Sequence, residues 1–76
     1  MVNKFDVRPH DPAERHEMIF DAFDQLSPGE AFVFINDHDP KPLYYQMEAE
    51  SDDPFEWEYL LAMPEEWKVK ITKCSN

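Results

Sequence analysis

Five consecutive apolar residues near the middle of the chain, Ala31-Phe32-Val33-Phe34-Ile35, constrain its fold more than any other feature. The run is too short for a helix, rich in β-branched and aromatic side chains and without polar alternation, which is the pattern of a central strand. The polar stretch from Asn36 to Asp39 ends it. A central strand needs partners at both edges and a layer to pack against, and the 76 residues have to supply both within one domain. At that size only about 60% of the unfolded chain's surface is buried on folding. Aromatic side chains offset the handicap: they make up 14% of the sequence, and each can bury on the order of 150–250 Å². A core without disulfides is therefore available.

The flanking segments supply the missing elements. Lys4 to Arg8 alternates, with Phe5 and Val7 on one side and Lys4, Asp6 and Arg8 on the other, and reads as a short strand. Asp11-Pro12-Ala13-Glu14 reads as a helix start, with Asp11 as cap, Pro12 at the first helical position and Glu14 as the carboxylate of a capping box. Met18, Ile19, Ala22, Phe23 and Leu26 then recur at helical spacing, and Ser27-Pro28-Gly29 is the stop. Asp39-Pro40 repeats the cap and proline signal, and Leu43, Tyr44 and Met47 give one face of a second helix ending around Glu50. A turn follows over residues 51–54.

The C-terminal part alternates with a period of two. Phe55, Trp57, Tyr59 and Leu61 interleave with Glu56, Glu58 and Leu60; after Met63-Pro64-Glu65, Trp67, Val69 and Ile71 interleave with Lys68, Lys70 and Thr72. These are two half-buried antiparallel strands. Keeping their aromatic and aliphatic faces together places odd residues opposite odd ones, with Tyr59 opposite Val69 or opposite Trp67. The first register sets Glu58 against Lys70, the second Glu56 against Lys70 and Glu58 against Lys68; each such cross-strand pair contributes roughly 0.2–1 kcal/mol.

The resulting order, β-α-β-α-β-β, with strands charged on their outer face, implies an α+β two-layer sandwich: a mixed four-stranded sheet with two helices on one face. A right-handed crossover makes the first two strands parallel, which brings the loops Arg8–His10 and Asn36–Asp39 to one carboxyl edge. Both loops lead into helix N-termini, whose free N–H groups favour anions. Residues 1–76 form a single domain, with 74–76 as a flexible tail.

Charge and cysteine content narrow the setting. Seventeen acidic residues against seven basic ones give a net charge of −10, a field that repels nucleic acid and anionic membranes. Lys68, Lys70 and Lys73 cluster near the C-terminus, opposite the acidic stretch from Glu48 to Glu58. The single cysteine, Cys74, cannot form an internal bridge, which points to a reducing, cytoplasmic compartment. The opening MVNKFDVRPH holds no apolar run suited to a signal or a span, so no membrane role is expected.

Several stretches carry a family resemblance: D-V-R-P near the start, E-R-H-x-x-I-F at Glu14 to Phe20, F-D-x-L-x-P-G-E at Phe23 to Glu30, and above all N-D-H-D-P-K-P-L-Y-Y-Q at Asn36 to Gln46. They resemble the bacterial domain of unknown function 2249 over about Phe5 to Ile71. That family looks like a distant relative of the TusA/SirA sulfur-carrier fold, with the same element order, and occurs alone or fused to hemerythrin-like and other redox-associated domains. The resemblance implies a TusA/SirA-like fold and no defined reaction. In the sulfur carriers a cysteine opens the first helix; counting from Asp6 and Arg8, Pro12 holds that position here. The thiol that carries sulfur is missing.

The candidate chemistry lies in the two loops. His10 and His38, with Asp37, Asp39 or Asp11 supplying oxygen, form a candidate divalent-metal set, although the spacing matches no established ligand motif. His38, between Asp37 and Asp39, is a candidate general base for an acid–base enzyme, without a serine or cysteine nucleophile nearby in sequence. Arg8 and Arg15 either bind an anion together with helix N–H groups or pair with local carboxylates such as Asp6 and Asp37 and fix the loops. One of Tyr44 and Tyr45 faces outward, whereas Trp57 and Trp67 read as core. With Asp11 and Asp39 assigned to capping, Arg8, Arg15, His16, Asn36, Asp37 and His38 are the binding candidates. The preferred reading is a non-catalytic accessory domain, without a cofactor, that presents this edge to a protein partner or small anion. The family's fusions suggest hemerythrin-like proteins and redox or nitrogen-oxide physiology.

Overall fold

The computed structural model describes residues 3–51 and 53–74. Its elements are β1 (Asn3–Asp6), α1 (Pro12–Asp24), β2 (Ala31–Asn36), α2 (Lys41–Glu50), β3 (Phe55–Met63) and β4 (Glu66–Lys73). They form one four-stranded mixed sheet in the order β1-β2-β4-β3, with β1 parallel to β2 and β4 antiparallel to both β2 and β3. The arrangement is α+β, and the apolar run is one of its two interior strands, β4 being the other.

Parity along the strands decides the core. Phe32, Phe34, Val69 and Ile71 share one face and cluster with Ile19 and Phe23 of α1 and Leu43 and Met47 of α2. Both helices thus cover the same side. On the other side Val33 is also buried, and it stands in register between Lys4 and Lys70. Aliphatic lysine stems shield apolar surface while leaving the ammonium in water, so no second helical layer is needed there.

The termini of the elements depart from the sequence reading in instructive ways. β1 stops at Asp6 because the Asp6 carboxylate turns back to accept the Arg8 N–H at 2.9 Å, although Val7 is fully buried and its N–H still donates to Ile35 at 3.0 Å. Asp11 is the N-cap residue of α1 without a side-chain capping bond, and Glu14 points to His10 at 3.7 Å instead of closing a capping box. The N-cap of α2 is Pro40, not Asp39; Asp39 serves from one residue further out by accepting the Lys41 N–H at 3.1 Å. α1 ends at Asp24, and Gly29, at φ +91°, makes the left-handed turn into β2. Cys74 is not a loose tail residue: it is half-buried and its N–H donates to the Pro54 carbonyl at 3.0 Å. Residues 75 and 76 lie outside the described residues.

In the β3–β4 hairpin Tyr59 stands opposite Val69 and Glu58 opposite Lys70, the first of the two expected registers. The parity then breaks at Leu60, so that Leu61 faces Lys68 and Met63 faces Glu66. The cause is the turn. Pro64 and Glu65 alone separate Met63 from Glu66, and this closure is offset by one residue from the register that keeps the inner faces together. A bulge at Leu60 absorbs the difference. Trp67 keeps its parity with Val69 and Ile71 on β4, but at the end of the strand it is half-buried outside the central cluster, its ring 6.1 Å from that of Tyr59.

Candidate functional site

The parallel β1–β2 pair brings its two following loops together, and Arg15 joins them. The side chain emerges one turn into α1 and is 12% exposed. Its Nε donates to the His10 carbonyl at 2.7 Å, one terminal nitrogen to Asn36 Oδ1 and Asp37 Oδ1 at 2.9 Å each, and the other to the Arg8 carbonyl at 2.8 Å and Asp37 Oδ2 at 3.2 Å. A guanidinium has five N–H donors, and here each has an acceptor from the protein itself. Arg15 is therefore a structural tie between the loops, with no donor left for an external anion.

Arg8 is also committed. Its guanidinium folds back on Asp6, with contacts of 2.7–3.1 Å, and holds the Asp6 carboxyl below its ordinary value chiefly through that hydrogen bonding. Of the six binding candidates, both arginines are thus paired internally. Asp37 is pulled furthest, to about 2, first by hydrogen bonding to Arg15 and then by His38.

The remaining candidates converge. His16, Asn36 and His38, with Arg15, line a cavity of about 50 Å³ between the starts of α1 and α2, whose other walls are Pro12, Ile19, Pro40, Pro42 and Leu43. That space accommodates a few water-sized groups. Asn36 is 6% exposed; because Arg15 can only donate, the amide must turn Oδ1 toward it, which leaves Nδ2 as the free donor. His38 Nδ1 lies 2.7 Å from Asp37 Oδ1. A carboxylate only accepts, so Nδ1 carries a proton and Nε2 is the acceptor of the neutral ring. His38 is 64% exposed, its ring only partly screened from water.

Proline shapes the chemistry of this edge. Each helix has a proline in its first two positions, which removes backbone donors from the N-termini that were expected to favour anions. Hydrogen-bonding capacity rests instead on His16, His38 and the Asn36 amide. His10 is not part of the group; it faces Glu14. No cluster of three or more His, Cys, Asp or Glu side chains suited to a metal ion occurs among the described residues, so His10, His38 and Asp37 are not gathered as a ligand set.

One feature lies outside the sequence-derived candidates. Tyr44 and Tyr45 of α2 and Phe55, Trp57 and Tyr59 of β3 line a groove of about 260 Å³ with Lys41 at its side. Trp57 was expected in the core and does pack against it, but β3 is an edge strand and α2 leaves its inner row partly uncovered. The doubled tyrosine next to an F-x-W-x-Y strand was the available signal.

No helix among the described residues is long and apolar enough to cross a membrane. Nothing among the curated proteins or the solved structures matches the chain. A family model does match, over residues 4–73, nearly the whole sequence. The chain belongs to the family described as an uncharacterized conserved protein, DUF2249.

Proposed function

We propose that this chain is a non-catalytic binding domain whose carboxyl-edge cavity receives a small anion or a polar side chain of a partner protein, which accepts from the Asn36 amide and, with the His38 ring protonated, from its Nε2–H. The observation that carries the reading is that His16, His38 and Asn36 line one cavity whose remaining walls are mostly apolar. Arg15 and Asp37 hold that geometry from behind. The resemblance to sulfur carriers points to the same place, since Pro12, at the position of the carrier thiol, is part of the wall. The hemerythrin-like fusions suggest a redox or nitrogen-oxide setting in the cytoplasm.

Histidine side-chain NMR during titration with nitrite and with phosphate, at constant ionic strength, tests the reading. His16 and His38 should shift together with the Asn36 amide while His10 stays fixed. A flat response, or one in which His10 moves equally, would count against it.

A second reading is favoured by the short Asp37–His38 contact, with Arg15 orienting the carboxylate. This is the arrangement of an imidazole positioned as a general base. It requires a pH-dependent turnover that His38→Gln abolishes and His10→Gln does not.

A further inference from the structure

The groove between α2 and β3 has two properties that specify an occupant. Its walls are ring faces arranged edge to face: Tyr44 lies 5.3 Å from Trp57, 5.5 Å from Tyr45 and 5.8 Å from Phe55, and Trp57 lies 6.2 Å from Tyr59. Such faces attract cations, most of all when partly desolvated. Among the described residues the one internal cation seated over a ring is Lys73 on Phe23, at 4.8 Å; the groove's own rings are not occupied in this way. Its rim is acidic. The Tyr59 hydroxyl donates to Asp39 at 3.0 Å, and the Glu48 carboxylate close to the Tyr44 hydroxyl raises that group's pKa.

The groove is also not isolated. Past Tyr44 and Phe55 it continues into a hollow bordered by Glu48, Ser51, Asp53 and Pro54. From Ser51 and Asp53 a third hollow leads past Phe20 and Phe23 to Asp24 and Glu50; Asp53 there already pairs with Lys73 at 3.7 Å, so Asp24 and Glu50 are the carboxylates offered to a ligand. The track runs from aromatic to acidic, on a chain of net charge −10.

We infer that this track docks an extended basic segment of a partner protein, with one lysine or arginine side chain between the rings and a following basic residue among the carboxylates. Continuity of the three hollows favours a peptide over a free small cation. A second copy of the chain pairing along β3 is disfavoured, because the bulge at Leu60 interrupts that edge and Glu56 and Glu58 would meet their own counterparts. The site is independent of the carboxyl-edge cavity. Lys41 is the one unfavourable charge at the groove, and it makes the sign of the ligand measurable.

The experiment is fluorescence anisotropy with a labelled peptide alternating alanine and lysine, in 150 mM salt, with NMR of the Trp57 indole N–H as a local readout. Tyr45→Ser, at a 58% exposed position, should weaken binding about fivefold with the circular dichroism spectrum unchanged. Lys41→Gln should tighten it by more than Lys4→Gln, which removes the same charge from β1. The proposal is overturned if Tyr45→Ser has no effect, if the two lysine variants act equally, or if the alternating glutamate peptide binds as well. Tetramethylammonium that binds as tightly as the peptide would also overturn it, in favour of a small-molecule site.

Discussion

Two regions of this molecule, about equally rich in chemically capable side chains, handle them in opposite ways. At the carboxyl edge of β1 and β2 all five donors of Arg15 meet acceptors from two loops. On the α2–β3 side Tyr45 and Tyr59 remain 58% and 42% exposed, and the rings that line the groove carry no cation among the described residues. The first region holds itself together, and most of its charge is committed. The second leaves capacity unused. A polar cluster read from sequence is therefore weak evidence of binding until its internal partners are counted.

The sharpest way to break this comparison is to remove the tie. Arg15→Ala leaves the Asp37 carboxylate, Asn36 Oδ1 and two loop carbonyls without their donors, and should lower unfolding free energy by roughly 2–4 kcal/mol in urea titration. Arg15→Lys should recover little of this, because an ammonium cannot reproduce the planar fork. A loss no larger than that of an ordinary surface substitution would mean that the loops do not depend on Arg15.

Acid should act on the same tie. The Asp37 carboxyl titrates at about 2 when folded, against 3.8 ordinarily. A folded value below the unfolded one gives stability that is fully present above about pH 4 and is lost as pH falls through about 2. Asp37→Asn should therefore lower the urea midpoint at neutral pH and flatten its decline between pH 4.5 and pH 2. An equally steep decline in the variant would place the acid sensitivity elsewhere.

Smaller effects are expected away from the tie. Trp67→Phe deletes an N–H that is buried without an acceptor among the described residues, so its packing loss is offset and the net change should stay within about 1 kcal/mol. A larger loss would show that the indole N–H is hydrogen-bonded in solution. Tyr45→Ser should be smallest, within about 0.5 kcal/mol, as for exposed positions generally; a larger destabilisation would make Tyr45 part of the fold and not of a docking surface.

Periodicity made most of the architecture legible. The run Ala31–Ile35 identified one interior strand, the spacing of Ile19 and Phe23 the buried face of α1, and parity narrowed the hairpin to two registers, of which the fold takes the one with Tyr59 opposite Val69. What it could not show were properties that depend on several elements meeting. The Leu60 bulge arises from a conflict between turn closure and face matching 4–5 residues away. Asp11 had the right residue type for a cap, yet residue type does not decide where a carboxylate points. Arg15 and Asp37 were legible as candidates, but their bond inventory required the folded geometry. The groove escaped because alternation marks Trp57 and Tyr59 as inward without saying how far a helix reaches over an edge strand.

The interior position of β2 also bears on how the chain is made. Its parallel partner β1 precedes it, but Asn36 pairs with Trp67 and Ala31 with Thr72 on the far edge, so that edge stays open until β4 has left the ribosome. At ordinary synthesis speeds the wait is on the order of seconds. During that interval an uncharged, β-prone pentapeptide is exposed to its counterparts on neighbouring nascent chains. Glu30 immediately before it and Asp37 two residues after it put like charge at both ends of the run, which opposes such encounters electrostatically.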